Sequence, residues 1–155
     1  MSHIADVQLH VTDLDDLRTA VLEAGGNWHE GQTTHRWYGR FLNDWNDERA
    51  AVNRRDPATF GKCLHAISFP NVNYQIGVVP HTSGTGYDLV YDNFGSGGQH
   101  DGQLLEQRLG GAGLPKLKQN YAVASVRREL SRQGHRVSVL TQPDGSIKIK
   151  TKGGR

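Results

Sequence analysis

Residues 61–98, GKCLHAISFPNVNYQIGVVPHTSGTGYDLVYDNFGSGG, decide the fold. Their apolar positions alternate, which is the period of a pleated strand whose successive side chains point to opposite faces. In the first run Cys63, His65, Ile67 and Phe69 share one face, with Leu64, Ala66 and Ser68 on the other. Pro70-Asn71 ends that run, because proline has no N–H to give to a ladder. In the second run Tyr74, Ile76 and Val78 alternate with Asn73, Gln75 and Gly77, and Pro80 closes it. Residues 81–86, HTSGTG, supply a turn. In the third run Tyr87, Leu89 and Tyr91 alternate with Asp88, Val90 and Asp92. Three consecutive strands, each with one apolar and one mostly polar face, predict an antiparallel sheet covered on one side by helices.

The flanking segments supply the cover. Ile4 to Val11 alternates as a first strand, with His3, Ala5, Val7, Leu9 and Val11 on its apolar face. A helix is predicted from Asp13 to Ala24, since Leu14, Leu17, Val21 and Ala24 recur at helical spacing. Thr12 is its expected N-cap, Asp13, Asp15 and Asp16 suit its positive end, and Gly25-Gly26 stops it. Trp28 and His29 begin a strand, and Thr34 to Phe41 holds another. Residues 42–60 are polar, charged and poor in branched apolar side chains. They read as an insertion or mobile loop, with one short helix over Asp47 to Asn53. Downstream, Asp101 caps a short helix through Leu109. Leu114 to Gln133 is the second principal helix, with Leu117, Tyr121, Ala124 and Leu130 in its apolar stripe. Gln142-Pro143-Asp144-Gly145 joins Arg136–Leu140 to Ser146–Lys152 in a closing hairpin. Lys148, Lys150 and Lys152 face away from Ile147, Ile149 and Thr151, a pattern that suits an edge strand protected by charge.

The chain thus predicts an α+β fold: one mainly antiparallel sheet of six or seven strands with two principal helices packed on one face. The order β-α-β-β-β-β-α-β-β gives it a ferredoxin-like tendency. A length of 155 residues predicts a single domain. No apolar run approaches the ~18 residues of a membrane-spanning helix. The start, MSHIADVQLH, lacks the basic and apolar regions of a secretory signal. The one cysteine, Cys63, excludes an intrachain disulfide and suits a reducing, cytoplasmic setting. The net charge of +2 conceals an asymmetry. Residues 1–113 carry 14 acidic and 8 basic side chains, net −6, whereas residues 114–155 carry 10 basic and 2 acidic, net +8. Such a field can steer an anionic partner.

The start MSHI, the run GKCLHAISFP, the pair NYQIGVV and GYDLVYDNFG, the segment LKQNYAVASVRRELSRQGHRV and the tail DGSIKIK form a combination. Together they resemble the domain-of-unknown-function family that includes the chloroplast hypothetical reading frame 35 proteins, and more narrowly its bacterial and bacteriophage branch. The similarity covers nearly the whole chain outside residues 42–60. The resemblance carries over no activity and no functional residues. It implies an accessory role beside AAA-type ATPases, whose genes neighbour those of the family. For a phage-encoded member the setting is the host cytoplasm.

Four sets of residues bear on chemistry. Cys63 and His65 lie two apart on one strand and His3 lies on the first strand, so adjacent strands would bring together a zinc-type ligand set with one position open. The alternative is that all three are packing residues. The same Cys–His pair is a weaker nucleophile candidate, because i and i+2 backbones in a strand stand roughly 7 Å apart. The glycine-rich runs FGSGGQHDGQ and LGGAGLPK match neither a phosphate loop nor a dinucleotide fingerprint and read as turns. Asp13, Asp15 and Asp16 are explained by helix capping, and Asp44, Asp47 and Glu48 pair with no base.

The broad signal is the basic C-terminal part. Lys116, Lys118, Arg127, Arg128, Arg132, Arg136, Lys148, Lys150 and Lys152 could engage an acidic protein surface or nucleic acid, with Trp37, Tyr38 and Tyr74 as stacking surfaces in the second case. The leading expectation is a non-enzymatic accessory or adaptor protein acting through protein–protein contact, which the resemblance places beside an AAA-type ATPase. Its alternatives are a nucleic-acid-binding module and a metal-dependent small-molecule enzyme using His3, Cys63 and His65. For the last, the opening strand and helix with their histidines resemble the vicinal-oxygen-chelate enzymes over that unit alone.

Overall fold

The alternation in residues 61–98 becomes three adjacent strands. The computed structural model describes residues 4–37, 59–93 and 101–152. In chain order these form β1 (Ile4–Asp6), α1 (Leu14–Glu23), β2 (Asn27–His29), β3 (His65–Ser68), β4 (Ile76–Pro80), β5 (Tyr87–Asp92), α2 (Asp101–Arg108), α3 (Pro115–Arg132), β6 (Arg136–Thr141) and β7 (Ile147–Lys152). The expected strand beyond Trp37, the excursion through residue 58 with its short helix, His3, and the capping side chain of Asp101 lie outside the described residues.

The fold is α+β, with three helices among the described residues. Among the described residues five strands form one antiparallel sheet in the order β1-β5-β4-β3-β2, and β6 and β7 pair only with each other. β1 and β2 are therefore the outermost of the described strands in the main sheet, parallel to one another with three strands between. α1 spans that split β-α-β unit. The closing hairpin does not join the main sheet. It packs on α3, where Gln119 Nε2 donates to the Gly145 carbonyl at 3.2 Å.

Apolar burial explains the layers. Leu17, Ala20 and Val21 of α1, Leu105 of α2 and Leu117 and Tyr121 of α3 meet Ile67, Ile76, Val78, Leu89 and Tyr91 of the sheet. The N-cap of α1 is Asp13 rather than Thr12: its side chain accepts from Asp16 N–H at 3.1 Å. The Thr12 and Asp13 N–H groups both donate to the Tyr121 hydroxyl on α3, at 3.0 and 3.3 Å. The two helices are locked further along by Asn120 Nδ2 donating to the Ala20 carbonyl and by Asp16, which accepts from Ser125 and Arg128.

The second face of the sheet is not simply wetted. Ile4, Cys63, Ala66, Val79 and Val90 form a smaller cluster there, with Trp37 and Phe60 packed against it. The cover comes from irregular chain around residues 31–37 and 59–63. Buried Gln75 holds that chain down: its Oε1 accepts from Arg36 N–H and Gln32 Nε2, both at 2.9 Å, and its N–H donates to the Arg36 carbonyl. No helix of the described residues is long and apolar enough to cross a membrane.

Candidate functional site

Cys63 and His65 are adjacent in spacing but opposite in direction. Leu64 N–H donates to the Val78 carbonyl at 2.8 Å, while His65 is the register partner of the same Val78. Two residues thus face one, and this bulge reverses the parity of the chain before it. Cys63 packs into the second-face cluster with Ala66. His65 instead lies against Trp28, ring centroids 5.3 Å apart, toward the helix-covered face. His65 Nδ1 accepts from Gly31 N–H at 3.0 Å, with Glu30 Oε1 3.6 Å away. The Cys63 thiol donates to the Gln32 carbonyl at 3.2 Å. Burial pushes the Cys63 thiol up to about 11, which disfavours the thiolate at neutral pH. The described residues therefore assemble neither the Cys63–His65 ligand pair nor the nucleophile expected from alternation. His3, the third member, lies outside the described residues.

What Cys63 faces instead is a cavity of about 270 Å³, lined chiefly by Ile4, Phe60, Cys63, Val79 and Val90, with His35 at its side. His35 is 3% exposed, and among the described residues neither ring nitrogen makes a well-formed hydrogen bond. Burial holds its pKa below the ordinary imidazole value, opposed by backbone groups of Gln75 and Arg36 and by the charge of Asp92. A neutral, buried histidine here was not legible from the sequence, which placed Thr34 to Phe41 in a strand. Thr34 makes only a single bridge, to Lys62. The one local sign is Gly77 on β4, where a Cβ would come within 2.5 Å of His35 Cδ2.

The cations divide by role. Arg128 Nε donates to both Asp16 carboxylate oxygens at 3.0 Å, and its Nη2 lies 3.5 Å from Asp13. Arg127 pairs with Glu23 at 3.5 Å, and Arg132 with Glu129 on its own helix at 3.4 Å. Arg127 and Arg128 thus pair across to α1 and Arg132 pairs within α3, while all three remain exposed. The β6–β7 ribbon differs. Its register pairs Arg136 with Lys152, Ser138 with Lys150 and Leu140 with Lys148. All six are exposed and share one face, whereas Val137, Val139, Ile147 and Ile149 are half-buried on the other. Four cations therefore crowd one side of a two-stranded ribbon, and like charges placed directly opposite repel. The Gln119–Gly145 bond brings the hairpin turn back to the first turns of α3, which carry Lys116 and Lys118.

The aromatic residues expected to stack on bases go elsewhere. Trp37 meets Phe60 edge-on at 5.8 Å on the second face, and Tyr74 packs on the main core. Tyr38 lies outside the described residues. Comparison with family models, with curated proteins and with solved structures finds no match.

Proposed function

We propose that the protein is a non-enzymatic accessory protein that docks onto an acidic protein surface through the exposed face of the β6–β7 ribbon. The observation that carries this reading is the four-cation face, Arg136, Lys148, Lys150 and Lys152, with half-exposed Leu140 among them. Anionic side chains on a partner would relieve the Arg136–Lys152 repulsion, and Leu140 would add apolar contact. Charge on the remainder of the chain is net negative, so the attraction is local to this end. Resemblance to the reading-frame-35 family supplies the partner class, an AAA-type ATPase met in the cytoplasm, or in the host cytoplasm if the chain is phage-encoded.

Nucleic acid is the second reading, because a two-stranded ribbon is of a size to enter a major groove. Against it, no aromatic side chain stands on the ribbon. Affinity capture from the native lysate separates the two, using the full chain and the Lys148→Glu/Lys150→Glu variant. A stoichiometric protein partner that survives nuclease treatment and is lost with the variant supports docking. Nuclease-sensitive capture, with a salt slope near the −3.6 of about four phosphate contacts, supports nucleic acid instead. Capture of neither, or capture indifferent to the charge reversal, overturns the ribbon as the working surface.

A further inference from the structure

The far end of the main sheet carries a second arrangement, independent of the ribbon. His10, His81 and Asp88 each present one ligand atom, and these atoms lie within 4.8 Å of one another. Topology brings them together. Val11 and Tyr87 form an isolated antiparallel bridge, with Val11 N–H donating to Tyr87 O at 3.0 Å and Tyr87 N–H to Val11 O at 2.8 Å. His10 and Asp88 are the next positions across that bridge. Asp88 is also the register partner of Val79 on β4, and His81 stands two residues beyond Val79 on the same side. The hairpin loop is pinned there by His81 N–H donating to the Gly86 carbonyl at 3.0 Å.

We infer that His10, His81 and Asp88 form a binding site for a divalent first-row transition ion of the zinc type. The donor set is two imidazoles and one carboxylate, the combination that suits such ions rather than calcium or magnesium. His81 Nδ1 is 3.4 Å from Asp88 Oδ2, the edge of a tetrahedron with bonds of about 2.1 Å. That nitrogen is buried and makes no hydrogen bond among the described residues. The imidazoles of His10 and His81 are already edge to face, centroids 4.5 Å apart. His10 is exposed, so a small rotation closes the set, and with three protein ligands a solvent-facing position remains for water or a small oxygen ligand.

The test uses the full chain, stripped with chelator and titrated calorimetrically with zinc alone. One ion per chain is expected. His10→Ala, His81→Ala and Asp88→Asn are each expected to weaken binding by more than about a hundredfold, beyond the loss for an outer-shell partner. Circular dichroism of each stripped variant confirms that it folds. Cobalt substitution gives a second readout, a visible absorption band in the parent that is lost in Asp88→Asn. No saturable zinc binding by the parent overturns the inference. Binding unmoved by both His10→Ala and His81→Ala, or abolished by Cys63→Ser alone, overturns it as well.

Discussion

Gly84 and Gly86 sit in one loop, and replacing each by alanine separates backbone strain from steric conflict. Both hold left-handed backbone, φ +87 and +79, where a Cβ is destabilised by about 1–2 kcal/mol. At Gly84 nothing lies within 4 Å of the added methyl. At Gly86 the methyl would meet His10 Cε1, His10 Nε2 and the Val11 carbonyl oxygen, each at 2.7 Å. The carbonyl cannot retreat, because it accepts the Tyr87 N–H that closes the bridge. The His10 ring can, by swinging away from His81 and Asp88. Overpacking of this kind adds about 1–3 kcal/mol. Gly84→Ala is therefore expected to destabilise by about 1–2 kcal/mol and Gly86→Ala by about 2–5 kcal/mol. For a chain of this length each kcal/mol lowers Tm by about 2–4 °C. Thermal unfolding followed by circular dichroism in chelator reads both values. Repeating it with zinc reads the site: the parent and Gly84→Ala gain stability, whereas Gly86→Ala gains none although all three ligands remain. Equal losses for the two variants, or an undiminished zinc effect in Gly86→Ala, would refute the reasoning.

Three further outcomes are expected. Tyr121→Phe removes the acceptor for two N–H groups at the start of α1 and destabilises by about 1–3 kcal/mol, read by urea unfolding at unchanged m-value. Tyr91 is buried and donates to Glu106 Oε1 at 2.7 Å, so Tyr91→Phe lowers stability by about 1.5–3 kcal/mol at neutral pH. Burial first, and Glu106 second, raise the Tyr91 pKa above its ordinary 10.0. Its contribution is therefore complete below pH 10 and lost as pH rises beyond, and stability measured against pH falls less steeply in Tyr91→Phe, by up to about 1.4 kcal/mol per pH unit. Cys63 resists iodoacetamide in the native chain at pH 8 and labels at the rate of free cysteine in urea; rapid native labelling would contradict a packed thiol raised to about 11.

Periodicity made most of the elements legible. α1 and α3 begin and end within two residues of their expected bounds, and β5 spans the six residues of its alternating run. Long-range pairing was not legible. The Asp-Gly turn identifies the closing hairpin, but nothing in its sequence says that it forms a sheet separate from the five described strands. The lysine row on β7 was plain from spacing alone. That Arg136 joins it, while Arg127 and Arg128 pair with Glu23 and Asp16 of α1, depends on which face of α3 meets α1.

The two histidine sets show where alternation stops being a guide to chemistry. Cys63 and His65 look paired because strand parity puts i and i+2 together, and the single extra residue at Leu64 undoes it. His10 and His81 look unrelated, one on a polar strand face and the other in a turn, 71 positions apart in the sequence. They meet because the isolated Val11–Tyr87 bridge sets His10 beside β5 while the β4–β5 hairpin returns residue 81 to residue 88. Local pattern reports which side of an element a residue occupies only until the first bulge, and it never reports which elements become neighbours. A ligand set drawn from three elements therefore depends on topology, and the only local sign of this one is Gly86, whose missing side chain gives His10 its place.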